Sequence, residues 1–238
     1  MRYNLAMISK QLGQFTIKFC GFRRVEDINA AIAAGVDAIG LNFCPSSPRF
    51  VTMKQAADLA KANDGRVCLV GVFVNPSLEM LREAIEVCQL DLVQLHGDEN
   101  PDLVSGKNLR PLIKALPWRE ANQQDMTMAD VWAQSVKATN LNGFLVDAFD
   151  PSQRGGTGKV TRWDLLNPRP TLFNQLRLIL AGGLTSINVA QAIEMSCPDA
   201  VDTASGIESS PGIKDEEKMR SFVIQAKKGF ERAKQFRT

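Results

Sequence analysis

The sequence predicts an α/β protein and, within that class, a single-domain barrel. Short apolar runs rich in β-branched residues alternate along the whole chain with longer stretches of helical period, which is the pattern of repeated βα units. Eight such units fit into about 220 residues, with no linker rich in Pro, Gly or Ser between them. An open, doubly wound sheet is the alternative, but it ordinarily carries a glycine-rich turn after its first strand, where this chain has GFRRVED. The pattern therefore favours a closed (β/α)8 (TIM) barrel, which places its chemistry on loops at the C-terminal ends of the strands.

The predicted strands are nearly continuous in apolar residues, as expected for buried parallel strands. They are Thr16–Cys20, Asp37–Asn42, Val67–Val72, Asp91–Leu95, Pro111–Ala115, Gly143–Asp147, Gln175–Leu180 and Ala200–Asp202. The helical segments are Val25–Ala34, Met53–Ala62, Leu78–Cys88, a weak one near Asn100–Gly106, Asn122–Lys137, a short one near Trp163–Leu166, Ile187–Met195 and Glu216–Phe236. The last is the clearest, because acidic residues open it and basic residues close it, in the sense that the helix dipole favours.

Composition and charge limit the kinds of partner. With 238 residues, 45% hydrophobic and 23% charged, the chain has a globular composition. Its 28 basic and 26 acidic residues leave a formal charge of +2, so no overall field attracts nucleic acid or an anionic membrane. No uncharged apolar run has the length of a membrane span. Five cysteines without a CxxC pair, and a single histidine, predict no metal centre and suit reduced thiols in the cytoplasm.

The chain start predicts no targeting segment. Residues 1–15 lack the apolar core and the cleavage site of a signal peptide. We therefore expect residues 1–15 to be a short polar extension and residues 16–238 to form the barrel.

Two strand ends carry side chains suited to proton transfer. Cys20 ends the first strand, where its thiol would lie at the rim of the barrel mouth. Lys18 would lie on the same side of that strand and favour the thiolate, although a free cysteine can equally be a small core residue. Asp147 ends the sixth strand after four apolar residues, so it is either an acid with a role or a structural hydrogen-bond acceptor. Asp150 is a rival acid, but the proline after it indicates a turn.

Two glycine-bearing loops, AGGLTS at 181–186 and TASGIESSPG at 203–212, follow the last two strands. In a barrel these loops form a phosphate site, because glycines let backbone N–H groups approach the anion; each loop alone could be an ordinary helix start. The segment QRGGTGK at 153–159 resembles a nucleotide-binding loop only superficially, since Val160 stands where that motif needs Ser or Thr. A flexible loop that closes over a ligand is the better interpretation.

Three further polar residues follow predicted strands. Arg49 lies between proline-stiffened segments in PSSPRF and suits a carboxylate or a phosphate, although a solvated surface arginine is the simpler alternative. His96, the sole histidine, could be structural or catalytic. Asp202 holds after the eighth strand the place that Asp147 holds after the sixth.

Seven motifs occur in an order that resembles one known family. They are KFCG at 18–21, DAIGLNFCPSSPRFV at 37–51, VGVFVN at 70–75, VQLHGDE at 93–99, LVDAFDPSQRGGTGK at 145–159, LILAGGLTSINV at 178–189 and VDTASGIESSPGIKD at 201–215. Together they resemble the phosphoribosylanthranilate isomerases of tryptophan biosynthesis. The resemblance implies an Amadori rearrangement, without cofactor or metal, that converts N-(5-phosphoribosyl)anthranilate to 1-(2-carboxyphenylamino)-1-deoxyribulose 5-phosphate.

The same resemblance implies roles for individual residues. Cys20 would be the general base and Asp147 the general acid. Arg49 would hold the anthranilate carboxylate, and Asp202 would lie near the anilino nitrogen or the sugar. Backbone N–H groups would cradle the phosphate at Gly182, Gly183, Ser205 and Gly206. The other enzymes of the pathway are the macromolecular partners that the resemblance suggests.

Phe22, Arg23 and Arg24 depart from the residues that usually follow Cys-Gly in this family, and could depress the pKa of the thiol or reshape the pocket. Two alternatives stay open. Another phosphate-binding barrel, such as a sugar-phosphate epimerase or the histidine-pathway isomerase, shares the phosphate loops but has no evident use for Cys20 together with Arg49. A binding protein that retains the phosphate site and has lost its active centre is the other.

Overall fold

The computed structural model describes residues 15–117, 123–147 and 163–235. Eight parallel strands form a barrel in chain order, and the pairing of the eighth strand with the first closes the ring. The strands are β1 (Ile17–Cys20), β2 (Ala38–Asn42), β3 (Cys68–Phe73), β4 (Leu92–Leu95), β5 (Leu112–Pro117), β6 (Leu141–Asp147), β7 (Arg177–Ala181) and β8 (Ala200–Thr203). All eight predicted strands are confirmed, with bounds that differ by no more than two residues. The closed ring excludes the open, doubly wound sheet.

Helices surround the barrel. Within the described residues they are α1 (Val25–Ala34), α2 (Met53–Asn63), α3 (Leu78–Cys88), α4 (Gln123–Gln134), α5 (Val136–Thr139), α6 (Val189–Ser196) and α7 (Glu216–Gln235). A small antiparallel hairpin, β9 (Glu208–Ser210) and β10 (Ile213–Lys214), follows β8. None of the helices in the described ranges combines the length and the apolar character that crossing a membrane requires.

Three predicted helices differ from the structure. The segment predicted over 122–137 is interrupted at Ser135, which separates α4 from α5. The segments predicted near 100–106 and 163–166 form only 3-10 turns, Pro101–Leu103 and Trp163–Leu166. In the first of these, the Asn100 side chain caps the turn and Gly106 adopts a φ of 67°, so the stretch between them is too short for an α-helix.

Several predicted features lie outside the described residues, namely positions 1–14 of the extension, Asp150, the loop at 153–159 and the end of the last helix after 235. Phe15, the last residue of the predicted extension, is buried in the inner apolar cluster of the barrel. Its carbonyl accepts a hydrogen bond from Arg177. Phe15 is therefore part of the barrel packing rather than of a separate extension.

The barrel interior is filled by small and branched apolar side chains. This inner cluster comprises Phe15, Ala38, Cys68, Val70, Leu92, Ile113, Ala115, Leu145, Ile179, Ala181 and Ala200. Phe19 of β1 packs outward against Phe222 of α7, so strand alternation places Lys18 and Cys20 on the inner face. A polar cavity opens where the strands end.

Candidate active site

The C-terminal ends of the strands surround a cavity of about 420 Å³. Seven of the eight predicted site residues line it, namely Cys20, Arg49, Asp147, Gly182, Gly183, Asp202 and Ser205. Asn42, Cys44, Ser47 and His96 add to its polar surface, whereas Val72, Val74 and Leu145 form an apolar side. The barrel thus brings residues from distant parts of the sequence to one rim.

Gly206, the eighth predicted residue, is not among the residues that line the cavity. It belongs to the 3-10 turn Ser205–Ile207, and a Cβ atom here would lie 1.9 Å from the carbonyl oxygen of Leu184. The Thr203 hydroxyl donates to the same carbonyl over 2.7 Å. Gly206 therefore lets the loops after β7 and β8 pack together, and its contact with a phosphate stays a prediction.

The loop after β7 turns at two glycines. Gly182 and Gly183 have φ values of 91° and 61°, in the left-handed region that glycine adopts without steric cost. The Asn188 side chain holds this loop, because its amide donates to the Gly183 carbonyl over 3.1 Å and its oxygen accepts from the Thr185 N–H over 2.8 Å. The loop presents mainly backbone to the cavity, beside Ser205.

Cys20 ends β1 with its side chain in the cavity wall. Gly40 of β2 is its partner in register, and a Cβ atom at Gly40 would lie 2.9 Å from the Cys20 sulfur, so the glycine leaves room for the thiol. Burial raises the pKa of the thiol, Lys18 and Lys214 oppose this, and Asp202 reinforces it. Lys18 acts in the predicted direction, but burial prevails and the pKa lies above its ordinary value.

A buried ion pair lies beside the thiol. The Lys18 ammonium, which is fully buried, donates to Asp202 Oδ1 over 2.9 Å. Burial lowers the pKa of Lys18, but Asp202 and Cys20 outweigh this effect and hold the pKa above its ordinary value. Lys18 is therefore a fixed cation next to Cys20.

Asp147 ends β6 and is half-buried in the cavity wall. Four buried residues, Gly143–Val146, precede it in the strand and fix its backbone. On the shorter way round the ring, β7 and β8 separate β6 from β1. Asp147 and Cys20 therefore face the same cavity from different sides.

Arg49 is part of an ion cluster that the sequence analysis missed. Its Nε and Nη2 atoms donate to the two oxygens of Glu208 over 2.8 and 2.6 Å. Glu208 also accepts from Lys214 over 2.8 Å. Gly21 makes room for the arginine, because a Cβ atom there would lie 2.3 Å from Arg49 Cδ. Arg49 is thus an anchored cavity residue, which excludes the alternative of a freely solvated surface arginine.

His96 lines the cavity after β4, and its Nε2 atom is in hydrogen-bond contact with the side-chain amide of Gln94. Desolvation by the surrounding cavity wall, with a further contribution from Lys18, lowers the pKa of His96 to about 4, although part of the residue is exposed at the cavity surface. The imidazole is therefore neutral at neutral pH.

The unusual residues after Gly21 point away from the cavity. Phe22 is fully buried in the core between barrel and helices. Arg23 donates to the Pro48 carbonyl over 3.2 Å, and Arg24 pairs with Asp27. None of the three lines the cavity or is among the causes of the pKa shift of Cys20. Phe22 instead packs under the ion cluster, with its ring 5.3 Å from the Lys214 nitrogen.

A closed eight-stranded barrel with ionisable side chains and paired glycine loops at its C-terminal rim defines a (β/α)8-barrel enzyme. The family model described as N-(5'-phosphoribosyl)anthranilate (PRA) isomerase matches residues 17–225. The chain therefore belongs to this family and is an isomerase of tryptophan biosynthesis. Membership excludes the sugar-phosphate epimerase and the histidine-pathway isomerase as alternatives.

Relatives and solved structures agree with the family model. The N-(5'-phosphoribosyl)anthranilate isomerase of Pelobacter propionicus is 40% identical over 212 residues, which cover 89% of this chain and 95% of the relative. The Myxococcus xanthus enzyme of the same name is 42% identical over 211 residues, with 89% and 95% covered. The crystal structure of the Thermotoga maritima phosphoribosyl anthranilate isomerase superimposes with a TM-score of 0.76 at 33% identity, covering 90% of this chain and 99% of the other. A crystal structure of such an isomerase in complex with reduced 1-(o-carboxyphenylamino)-1-deoxyribulose 5-phosphate gives a TM-score of 0.73 at 32% identity, with 90% and 99% covered.

Proposed function

We propose that the isomerisation of N-(5-phosphoribosyl)anthranilate runs through Cys20 as general base and Asp147 as general acid. The observation that carries this assignment is that the two groups reach one cavity from different sides of the barrel. A sugar between them offers its ring oxygen to one group and its C2 hydrogen to the other.

The chemistry needs one acid and one base. Asp147 donates a proton to the furanose ring oxygen as the bond from that oxygen to C1 breaks, which leaves an iminium at C1. The iminium acidifies C2, and the Cys20 thiolate removes the C2 proton to give an enolamine. Protonation at C1 and loss of the enol proton give the ketone, and exchange with solvent restores both groups.

The remaining cavity residues bind the substrate in this proposal. Arg49 retains three guanidinium N–H groups that Glu208 does not use, which suits the anthranilate carboxylate. Val72, Val74 and Leu145 provide an apolar surface for the aromatic ring. Backbone groups at Gly182, Gly183, Ser205 and Gly206 hold the phosphate, and Asp202 faces the anilino nitrogen or the sugar. The related complex with a reduced product supports a phosphosugar-anthranilate ligand.

We also propose a cytoplasmic location, because all five cysteines are free, as in a reducing compartment. Contacts with other enzymes of tryptophan biosynthesis stay a prediction.

Turnover of freshly made phosphoribosylanthranilate, followed by the loss of its fluorescence, tests the function. We expect catalysis by the wild type and a decrease in kcat of about 100- to 10,000-fold in Cys20→Ala. Cys44→Ala is the matched control, because Cys44 is a second cavity thiol to which we assign no role in proton transfer. A folded wild type that does not exceed the buffer rate would contradict the proposed catalysis, and normal turnover by Cys20→Ala would remove Cys20 as the base.

Asp147→Asn tests the acid in the same assay. The amide keeps the shape of the side chain but cannot supply the proton, so we expect kcat to fall by about 100-fold or more while product binding changes little. A change confined to KM would instead indicate that Asp147 only binds the sugar.

A further inference from the structure

Glu208 lies at the centre of the ion cluster behind the cavity. Its side chain is 4% exposed, and its carboxylate accepts both hydrogen bonds of the Arg49 fork and one from Lys214. Such bidentate, charge-assisted pairs fix the plane of a guanidinium more strictly than a single contact does. Glu208 therefore determines where the Arg49 side chain points.

Lys214 extends the cluster to the base. Besides Glu208, its ammonium donates to the backbone carbonyls of Cys20 over 2.6 Å and Ala204 over 3.3 Å. One buried carboxylate thus joins the end of β1, the loop after β2, the loop after β8 and the hairpin strand β10. These segments carry the proposed base, the proposed carboxylate-binding residue and part of the proposed phosphate site.

The geometry leaves Arg49 able to bind a second carboxylate. Glu208 occupies the Nε side of the guanidinium, and the two N–H groups of Nη1 with the second one of Nη2 are not used by it. The Arg49 side chain is 21% exposed and lines the cavity. Two cations and one carboxylate give the cluster a charge of +1, which a substrate carboxylate would neutralise.

We infer that Glu208 is a positioning residue that sets the specificity for a carboxylated aromatic ring by aiming Arg49 into the cavity. This inference rests on the proposed function, in which Arg49 holds the anthranilate carboxylate. Glu208 acts through Arg49 and does not touch the substrate.

Glu208→Gln tests this role, because glutamine keeps the size of the side chain but offers only one acceptor oxygen to Arg49 and Lys214. Burial already lowers the pKa of Lys214, and loss of the carboxylate lowers it further. Deprotonation of Lys214 would therefore limit the gain in positive charge, and the main effect of the substitution is that Arg49 is no longer held in its orientation. We expect KM to rise about 10- to 100-fold while kcat changes by less than about threefold.

The decisive measurement is the dissociation constant of a product analogue without the ring carboxyl group, divided by the dissociation constant of the product itself. We expect a large ratio in the wild type and a ratio near one in Glu208→Gln, whereas a merely structural role would weaken both ligands equally. Glu217→Gln is the control, because Glu217 is an exposed residue in the first turn of α7. Circular dichroism establishes that each variant is folded.

Glu208→Asp keeps the charge but is one methylene shorter, so it cannot serve Arg49 and Lys214 together, and we expect an intermediate ratio. If Glu208→Gln does not fold, a Glu208→Asp ratio equal to that of the wild type overturns the inference and a smaller one supports it. A folded Glu208→Gln with an unchanged ratio overturns it as well. The absence of wild-type turnover would contradict the proposed function itself. The ratio of dissociation constants is measured separately from turnover, so failure of the Glu208 role can be told apart from failure of the proposed function.

Discussion

Two buried lysine–carboxylate pairs in this barrel look alike but have different surroundings. Lys18 contacts Asp202 over 2.9 Å, and Lys114 contacts Glu99 over 2.8 Å. Both ammonium groups are fully buried. Their distances and burial alone would suggest the same role.

The Lys114–Glu99 pair is closed by other partners. Glu99 also accepts from the backbone N–H groups of Asn75 and Gly97, each over 2.9 Å. Trp132 covers the pair, because its ring lies 6.0 Å from the lysine nitrogen and its Nε1 atom donates to the Glu99 carbonyl over 3.1 Å. This pair fixes the loop after β4 and has no access to the cavity.

The Lys18–Asp202 pair is open on one side. Within the described ranges, the Asp202 carboxylate has one hydrogen bond, which it accepts from Lys18, and it lines the cavity. Cys20 lies next to the same lysine. The comparison teaches that a buried ion pair becomes available for function when its carboxylate keeps acceptor capacity toward a cavity.

Breaking the closed pair should have the largest effect on stability. In Lys114→Met the Glu99 carboxylate stays buried without its cation, so we expect the free energy of unfolding to fall by about 3–5 kcal/mol. Activity per folded molecule should change little. Urea unfolding measures the loss, with Lys107→Met as the control at an exposed site nearby. A loss below about 1 kcal/mol, as for an exposed ion pair, would contradict the description of the Lys114–Glu99 pair as closed.

Breaking the open pair should instead change the pH dependence of catalysis. Lys18 lowers the pKa of Cys20, so Lys18→Met should raise that pKa further above its ordinary value. Because the thiolate is the proposed base, the acid limb of the kcat/KM profile should move toward alkaline pH, with activity at pH 7 about 10- to 100-fold lower. The position of the limb does not depend on the fraction of folded protein. An acid limb at the same pH in Lys18→Met would show that Lys18 does not influence the pKa of Cys20.

The fold and much of the site were predictable because both depend on local patterns. Apolar runs mark the strands, and barrel topology then brings the ends of β1, β6, β7 and β8 to one rim. Alternation along β1 places Lys18 on the face of Cys20, where it lowers the pKa of the thiol, although burial outweighs it.

The ion partners were not predictable from local patterns. Glu208 is 159 residues from Arg49, and no spacing rule joins them before the hairpin after β8 has folded. Lys114 stands in the apolar run LIKALP, and its side chain points outward from the barrel. Its ammonium lies under Trp132 of α4, which the sequence around Lys114 does not predict. Long-range polar contacts of this kind depend on side-chain packing in three dimensions, which hydrophobic periodicity does not encode.

His96 reports on both pairs, because its pKa responds to the charges of each. Desolvation by the cavity wall is the main cause that lowers the pKa to about 4. Lys18 lowers it more than Lys114 does, and Asp202 and Glu99 raise it. The chain has a single histidine, so one imidazole signal in an NMR titration gives this value directly. We expect a wild-type midpoint near pH 4, a rise in Lys18→Met and a smaller rise in Lys114→Met.

The same titration has a consequence for stability. The unfolded chain binds a proton at His96 near pH 6.5, before the folded protein does, so the free energy of unfolding should fall as the pH drops from about 6.5 toward 4. His96→Gln should flatten this slope in urea unfolding at several pH values. A wild-type midpoint near pH 6.5 would mean that the imidazole is solvated and that neither ion pair affects its pKa. An equal rise of the His96 pKa in the two lysine variants would contradict the expected difference between the open and the closed pair.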